Sequence, residues 1–237
     1  MIVRMAVLFD FFGTLVDYSP SRTEQGYPRS AAVLAGLGCR LGYDEWLATW
    51  SACSERLDDE SVVTGVEFSM HDAFAAFAPE AGLDDVPAHG ADAFVEAYLA
   101  EWSTAVRLID GVPELLSTLR AGGRRLGLVS NTHSAEMVRG HLAGMGILDA
   151  FDAVVTSVEV GFRKPRPEIF AAAMEALGAQ ACDAVFVGDS YDADYLGPTS
   201  MGMDAYLIAG DGLDIPAGVP ASRRLGSVLD LETRLVR

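Results

Sequence analysis

Four groups of polar residues follow short apolar runs of this chain, at spacings that would let them form one reactive site. They are Asp10-Phe-Phe-Gly-Thr14, Ser130-Asn131, Lys164-Pro165, and Gly188-Asp189 with Asp194. Together they supply a carboxylate nucleophile, hydroxyl and amide donors, a lysine for charge balance, and a second pair of carboxylates suited to a hard cation. Phosphoryl transfer requires such a set, because its catalysis consists mostly of positioning and charge neutralisation.

The elements that must position these groups are short strands. Five runs are apolar and rich in valine or leucine, namely Ala6–Phe9, Leu126–Val129, Ala153–Val155, Ala184–Val187 and Ala205–Ile208. Such runs are typical of parallel strands that are covered on both faces, and the stretches between them have a helical period. The pattern predicts an α/β fold with a Rossmann-like, doubly wound parallel sheet. Ligands of such sheets bind beyond the carboxyl ends of the strands, where the polar groups fall.

Local signals refine this prediction. Ser134 can cap a helix after the second polar group, and Pro113 suits the first turn of a helix that runs to about Arg120. Pro165 disfavours a helical conformation at Lys164, whereas Pro167 suits a helix start. We therefore expect Lys164 to lie in a loop beside a helix N-terminus. Near the end of the chain, the sequence predicts a short strand at Arg224 and a last helix near Ser227.

An inserted helical region is predicted between about Tyr18 and Arg107, where no convincing buried strand occurs. Helices are expected around Ser30–Leu37, Asp44–Leu57, Phe68–Phe77 and Ala91–Thr104. Their aromatic residues recur at helical spacing, which favours core packing over ligand binding. The predicted organisation is a core domain of residues 1–17 and 107–237 and a helical domain of residues 18–106. Arg22, Arg29 and Arg40 are candidates there for holding a substrate anion, although ordinary surface arginines would look the same.

Composition restricts the partners. The chain of 237 residues has 17 basic and 34 acidic side chains, a net charge of −17, which argues against nucleic acid or an anionic membrane as a partner. No apolar segment approaches the roughly 20 residues of a membrane helix, and the start does not resemble a signal peptide. We expect a cytoplasmic protein, a monomer or homodimer, that acts on a small anionic substrate.

The four motifs, in this order, resemble those of the haloacid dehalogenase superfamily of hydrolases. The resemblance covers roughly residues 1 to 17 and 107 to 210, and the helical insertion after the first motif is similar to that family's C1-type cap. It implies that Asp10 is the nucleophile of a covalent aspartyl intermediate. The other implied roles are Thr14 for orienting the first loop, Ser130 for binding phosphate, Gly13 and Asn131 for contacting substrate, and Lys164 for balancing charge.

The resemblance also implies a Mg²⁺ site. Its ligands would be Asp10, Asp189, Asp194 directly or through water, and the main-chain carbonyl of Phe12. In composition and length, the fourth motif resembles that of the metal-dependent branch of the family. The 2-haloacid dehalogenases have in its place a run similar to Ser-Ser-Asn, which is one residue shorter. The sequence therefore favours a Mg²⁺-dependent phosphohydrolase of a small phosphorylated metabolite.

Phe12 departs from the phosphatase pattern. The family's phosphatases carry an aspartate at this position as general acid and base, and a phenyl ring cannot protonate a leaving alkoxide. General acid-base catalysis is typically worth about 10² to 10⁴ in rate. An aromatic residue here is similar to the 2-haloacid dehalogenases, whose halide leaving group needs no proton. Dehalogenation and a catalytically weakened binding protein are therefore the alternative functions.

Overall fold

The computed structural model describes residues 6–209 and 218–235. These residues fall into two compact units, with boundaries between Tyr18 and Ser19 and between Val106 and Arg107. We call the residues up to Tyr18 and from Arg107 onward the core unit, and Ser19–Val106 the helical unit. None of the helices in the described ranges has the length and apolar character that a membrane span requires.

The core unit is built on a parallel sheet. The strands of the described residues are β1 (Ala6–Phe9), β2 (Val16–Asp17), β3 (Arg107–Leu108), β4 (Arg125–Ser130), β5 (Ala153–Thr156), β6 (Ala184–Gly188), β7 (Asp204–Ile208) and β8 (Arg224–Leu225). Six of them form one sheet in the order β5-β4-β1-β6-β7-β8. Its neighbouring strands are all parallel, while β2 and β3 form a separate antiparallel pair. All five strands predicted from apolar runs are confirmed.

Helices flank this sheet. They are α5 (Val112–Ala121), α6 (Ala135–Gly144), α7 (Ser157–Val160), α8 (Pro167–Leu177), α9 (Gly197–Ser200) and α10 (Leu231–Leu235). The helix α8 packs Ile169 and Phe170 against Leu8 and Phe186 in one buried cluster. The arrangement confirms the predicted Rossmann-like α/β core. The predicted starts at Pro113 and Pro167 and the Ser134 cap are also confirmed, since the Ser134 hydroxyl accepts from the Met137 amide at 3.2 Å.

Strand register places the polar groups at one edge of the sheet. Phe9 at the end of β1 is level with Leu128 of β4 and with Val187 of β6. The residues that follow in each strand therefore emerge together at the carboxyl edge. The strand β1 lies between β4 and β6, so Asp10 has the second and fourth polar groups on either side.

The helical unit contains α1 (Pro28–Gly36), α2 (Tyr43–Thr64), α3 (Met70–Glu80) and α4 (Ala88–Trp102). These match the four predicted helices, although α2 continues beyond the expected end at Leu57. Its extension, from Asp58 to Thr64, is mostly charged or exposed, and Gly65 ends the helix with a positive φ of 74°. The core of the helical unit is aromatic. Trp50 is fully buried, and its ring centroid lies 5.0 Å from that of Phe94 and 4.9 Å from that of Tyr98. The aromatic residues therefore pack as expected.

Candidate active site

The buried strand β1 delivers Asp10 to the edge of the sheet. All four residues of β1 are fully buried, and the Asp10 amide donates to the Val187 carbonyl at 2.9 Å. The pairing with β6 thus continues one residue beyond the strand and fixes the backbone of Asp10. Its side chain is 9% exposed, and Oδ1 accepts from Lys164 Nζ at 2.6 Å.

Lys164 forms a second ion pair, with Asp194. Its Nζ lies 2.7 Å from Asp194 Oδ1 and 5.2 Å from the centroid of the Phe186 ring. The lysine side chain is only 2% exposed, so its charge is compensated by the two carboxylates and not by water. Removal of one partner from a buried ion pair typically destabilises a protein by about 3 to 5 kcal/mol, because an uncompensated charge remains. The three side chains therefore form one electrostatic unit.

The Asn131 side chain holds the main chain of Lys164. Asn131 Oδ1 accepts from the Lys164 amide at 2.7 Å, and Asn131 Nδ2 donates to the Lys164 carbonyl at 3.1 Å. Both polar atoms of the side chain thus bind the lysine backbone, and they join the loop after β4 to the loop between α7 and α8. The sequence does not predict this contact, and the expected contact of Asn131 with substrate stays a prediction.

Replacement of Asn131 by alanine is therefore expected to act through Lys164. With two lost hydrogen bonds worth about 1 kcal/mol net each, kcat should fall by up to about 30-fold, while KM changes little. In the background of Lys164→Met, the same replacement should have almost no further effect, because coupled residues are not additive. A steady-state double-mutant cycle measures this. An increase in KM with unchanged kcat would instead indicate that the side chain binds substrate.

A carboxylate cluster surrounds the nucleophile. One carboxylate oxygen from each of Asp10, Asp189 and Asp194 can be chosen so that all lie within 4.8 Å of one another. Glycine is required beside two of them. A Cβ on Gly13, whose φ is +78°, would lie 2.2 Å from Asp189 Oδ2, and a Cβ on Gly188 would lie 2.4 Å from the Asp194 carboxyl carbon. The backbone therefore approaches both carboxylates more closely than any side chain would allow.

Asp194 accepts hydrogen bonds both from Lys164 and from the loop that follows β6. Its Oδ2 accepts from the Ser190 amide at 3.0 Å, while its Oδ1 pairs with Lys164. Ser190 precedes the π-helical turn Tyr191–Leu196, which carries Asp194 back towards the sheet. Asp194 is only 1% exposed, whereas Asp189 is open to solvent. Both oxygens of Asp194 are thus engaged by protein donors.

The site carries a net negative charge, because Lys164 lies among the three carboxylates of Asp10, Asp189 and Asp194. Burial raises the pKa of Asp10 to about 7. The positive charge of Lys164 opposes this rise only in part, and the negative charges of Asp194 and Asp189 add to it. Desolvation by the surrounding protein and the charge of Asp194 raise the pKa of Asp189 to about 6. Burial would lower the pKa of Lys164, but Asp10 and Asp194 outweigh it and hold that pKa above its usual value. The lysine stays charged, and the excess negative charge falls on the carboxylates.

The donor set fits a hard divalent cation. Carboxylate oxygens are the ligands that Mg²⁺ prefers, usually one or two per ion together with water and substrate oxygens. Asp10 and Asp189 meet this description, and Asp194 adds a third carboxylate oxygen within 4.8 Å of theirs. The residues present are therefore compatible with a bound Mg²⁺ ion.

The structure also places the remaining predicted residues. Thr14 and Ser130 are fully buried, and the Thr14 hydroxyl has no hydrogen-bond partner among the described residues. Ser130 donates weakly to the Asn131 carbonyl at 3.4 Å, at the end of β4. Phe12 is half-buried in the turn that follows Asp10. In the helical unit, Arg22 pairs with Asp58. The structure thus gathers Asp10, Lys164, Asp189 and Asp194, while the individual catalytic roles stay predictions.

Comparison with known proteins identifies the family. The model of the haloacid dehalogenase-like hydrolases matches residues 5–202, and the chain therefore belongs to this family of hydrolases. Human haloacid dehalogenase-like hydrolase domain-containing protein 3 is 36% identical over 104 residues, which cover 44% of this chain and 41% of that protein. The chain thus matches less than half the length of this relative.

Two further similarities extend over most of the chain. The glyceraldehyde 3-phosphate phosphatase of Methanopyrus kandleri is 31% identical over 201 residues, or 84% of this chain and 81% of that enzyme. The crystal structure of the 2-haloacid dehalogenase from Pseudomonas syringae pv. Tomato DC3000 covers 98% of both chains with a TM-score of 0.75 at 23% identity. At that identity the structural similarity shows the fold alone.

Proposed function

We propose that the chain hydrolyses the phosphate group of a small phosphorylated metabolite through an aspartyl-phosphate on Asp10, with Mg²⁺ as cofactor. The observation that carries this proposal is the cluster of three carboxylates around one lysine. Cleavage of a carbon–halogen bond has no use for a metal site, whereas phosphoryl transfer needs positive charge next to the transferred group. The cluster would supply that charge through a bound cation.

In this proposal, Asp10 attacks phosphorus and displaces the leaving oxygen, which forms the covalent intermediate. Water then attacks the phosphorus and regenerates the Asp10 carboxylate. Lys164 would hold Asp10 in one orientation through its 2.6 Å contact, and its charge favours the ionised form of Asp10. Ser130 would bind the phosphate group and Thr14 would orient the first loop, and both residues are fully buried.

The proposed cation would be held by Asp10, Asp189 and the Phe12 main-chain carbonyl, with Asp194 contributing through water. When bound, it supplies positive charge to the oxygens of the phosphate group. Both oxygens of Asp194 already accept from protein donors, which supports the indirect role for this residue. Asp194 would then act mainly by holding Lys164.

The substrate class follows from charge and from the relatives. A net charge of −17 would repel a free anion, so we propose that the cation and Lys164 provide the local attraction. The M. kandleri relative is a phosphatase of a small sugar phosphate, which supports a substrate of similar size. We further propose that the helical unit is a cap that selects the substrate. The cytoplasmic location and the monomeric or homodimeric state stay predictions.

A 2-haloacid dehalogenase activity is the second candidate, and Phe12 is the observation that favours it. A halide leaves without a proton, so an aromatic residue two positions after Asp10 would not lower the rate of such an enzyme. The reaction would proceed through an ester of Asp10 with the substrate carbon. Lys164 would favour the ionised form of Asp10 in this reaction too, so the ion pair does not separate the two candidates.

A chelator distinguishes the two activities. We expect release of phosphate from aryl phosphates and acyl phosphates to require Mg²⁺ and to be lost with EDTA, then restored by excess Mg²⁺. Halide release from 2-haloalkanoates should stay at background with or without EDTA. The matched control is the Asp10→Asn variant, which removes either activity and defines the background. Halide release that depends on Asp10 and persists in EDTA would refute the proposed phosphohydrolase and support the dehalogenase.

A further inference from the structure

The side chain of Ser157 binds the main chain of Thr132, in the loop that follows β4. Its hydroxyl accepts from the Thr132 amide at 2.8 Å and donates to the Thr132 carbonyl at 3.2 Å. A single hydroxyl can do both, since it has one proton and two lone pairs. Ser157 is fully buried and Thr132 is 5% exposed, so water has little access to these bonds. Ser157 thus satisfies both main-chain polar groups of one buried loop residue.

Ser157 lies where the pairing of β4 with β5 ends. Ser130 at the end of β4 is level with Thr156 at the end of β5, and Ser157 is the first residue of α7. Beyond Thr156 the chain turns into α7, and the Ser157 hydroxyl joins the start of this helix to the loop after β4. The Ser130–Asn131 segment is therefore fixed at both ends, by the strand pairing before it and by Ser157 after it.

The bonds from Ser157 constrain this loop over a long distance in sequence. Thr132 Oγ1 also accepts from the Ser134 amide at 3.2 Å, and Ser134 caps α6. Those bonds join near neighbours in the chain, whereas Ser157 is 25 residues away from Thr132. Ser157 therefore ties the loop after β4 to a different element of the core unit.

A second side chain joins the same two stretches of chain in the opposite direction. Asn131, after β4, holds the main chain of Lys164, which lies between α7 and α8. Ser157, after β5, holds the main chain of Thr132. The two contacts differ in what they fix. Asn131 acts on the residue that carries the positive charge, whereas Ser157 acts on the segment that is expected to bind phosphate.

We propose that Ser157 is a positioning residue that fixes the Ser130–Asn131 segment for binding the phosphate group of the substrate. The inference rests on the proposed phosphohydrolase function, in which Ser130 binds that group. Donors that are already fixed bind a charged group more strongly than mobile donors, because less free energy is lost in ordering them. Ser157 acts through Thr132 and does not itself contact the substrate.

Phosphate binding separates positioning from a general contribution to stability. Loss of folding stability lowers the fraction of active protein, and with it the apparent kcat, but the inhibition constant of the molecules that stay folded does not change. A displaced Ser130–Asn131 segment instead weakens phosphate binding in every folded molecule. Inorganic phosphate is the probe, because it is the expected product and carries the group that the segment would bind.

The test compares Ser157→Ala with the wild-type protein in Mg²⁺, with 4-nitrophenyl phosphate as substrate and inorganic phosphate as competitive inhibitor. Loss of two hydrogen bonds should raise KM and the inhibition constant of phosphate by about tenfold. We expect kcat, corrected for the folded fraction by circular dichroism, to fall by less than about threefold. Asn131→Ala should show the reverse pattern. Ser157→Cys should raise the inhibition constant too, since a thiol of similar shape forms only weak hydrogen bonds, and it replaces the alanine variant if that one does not fold.

The matched control is Ser227→Ala, which removes a hydroxyl that accepts from the Leu229 amide at 3.3 Å after β8. The strands β8 and β5 lie at opposite edges of the sheet, so the control should leave the inhibition constant unchanged. An unchanged inhibition constant in a folded Ser157 variant would overturn the inference while leaving the proposed function intact. Absence of Asp10-dependent turnover of phosphate esters by the wild-type protein would instead refute the proposed function, and this inference with it.

Discussion

Replacement of Asp10 by asparagine is expected to lower kcat for phosphate esters by roughly 10⁴-fold or more, as removal of other enzyme nucleophiles does. An amide cannot form the covalent intermediate, and the neighbouring groups cannot substitute for it. Lys164 keeps its contact with Asp194 at 2.7 Å, so the rest of the site should persist. Single-turnover and steady-state assays in Mg²⁺ would measure the loss.

The Asp10→Asn variant, although inactive, should not lose folding stability. The folded-state pKa of Asp10 is raised from 3.8 to about 7, so the folded protein holds this proton more tightly than the unfolded chain. Asp10 therefore lowers stability progressively as pH rises from about 4 through 7. In metal-free buffer at pH 8, Asp10→Asn should be at least as stable as the wild-type protein. The matched control is Asp149→Asn, an exposed carboxylate before β5 at the opposite edge of the sheet, which should alter neither activity nor its pH dependence.

Replacement of Phe12 by aspartate is the second change with a large expected effect. It introduces a carboxyl group at the position of the family's general acid, and turnover of alkyl phosphates should rise towards the 10² to 10⁴ that such a group is worth. Aryl phosphates should gain much less, because their leaving groups need no proton. The assay is kcat/KM for an alkyl and an aryl ester, measured in parallel.

Phe12→Asn is the matched control for this gain. It removes the same ring, and with it the contact to Tyr18, but it supplies no proton. If both variants gain equally, the steric effect of Phe12 and not the missing acid limits the reaction. If the wild-type protein is inactive on every ester and only Phe12→Asp is active, the chain is a weakened, ligand-binding member of the family. If neither variant gains, the explanation based on Phe12 is contradicted.

The sheet could be predicted from sequence because its strands are short, apolar and buried on both faces. Asp10, Asn131 and Asp189 each directly follow such a strand, so the position of Asp10 at the carboxyl edge follows from the parallel arrangement alone. The end of α2 was missed by seven residues, since its last turns are solvated and carry no apolar period. There, the signal was Gly65, which ends the helix in a left-handed conformation.

The contacts inside the site were less predictable. Asn131 and Lys164 are 33 residues apart, and only the folded loops bring the amide side chain onto the lysine backbone. The close approach of Gly13 to Asp189 likewise depends on two loops from different strands. The sequence assigns Tyr18 to the insertion, whereas its ring lies 5.2 Å from the Phe12 ring between centroids, within the core unit. Residue types and spacing indicated which side chains gather, but not which atoms each one engages.

The central claim is that Asp10 becomes phosphorylated during turnover. The most direct measurement is acid quenching of the protein during reaction with Mg²⁺ and an acyl phosphate, followed by peptide mapping by mass spectrometry. The account predicts one added phosphoryl group on the peptide that contains Asp10, absent in Asp10→Asn and absent when EDTA replaces Mg²⁺. Turnover without any phosphorylated Asp10, or a phosphoryl group on a different residue, would contradict it.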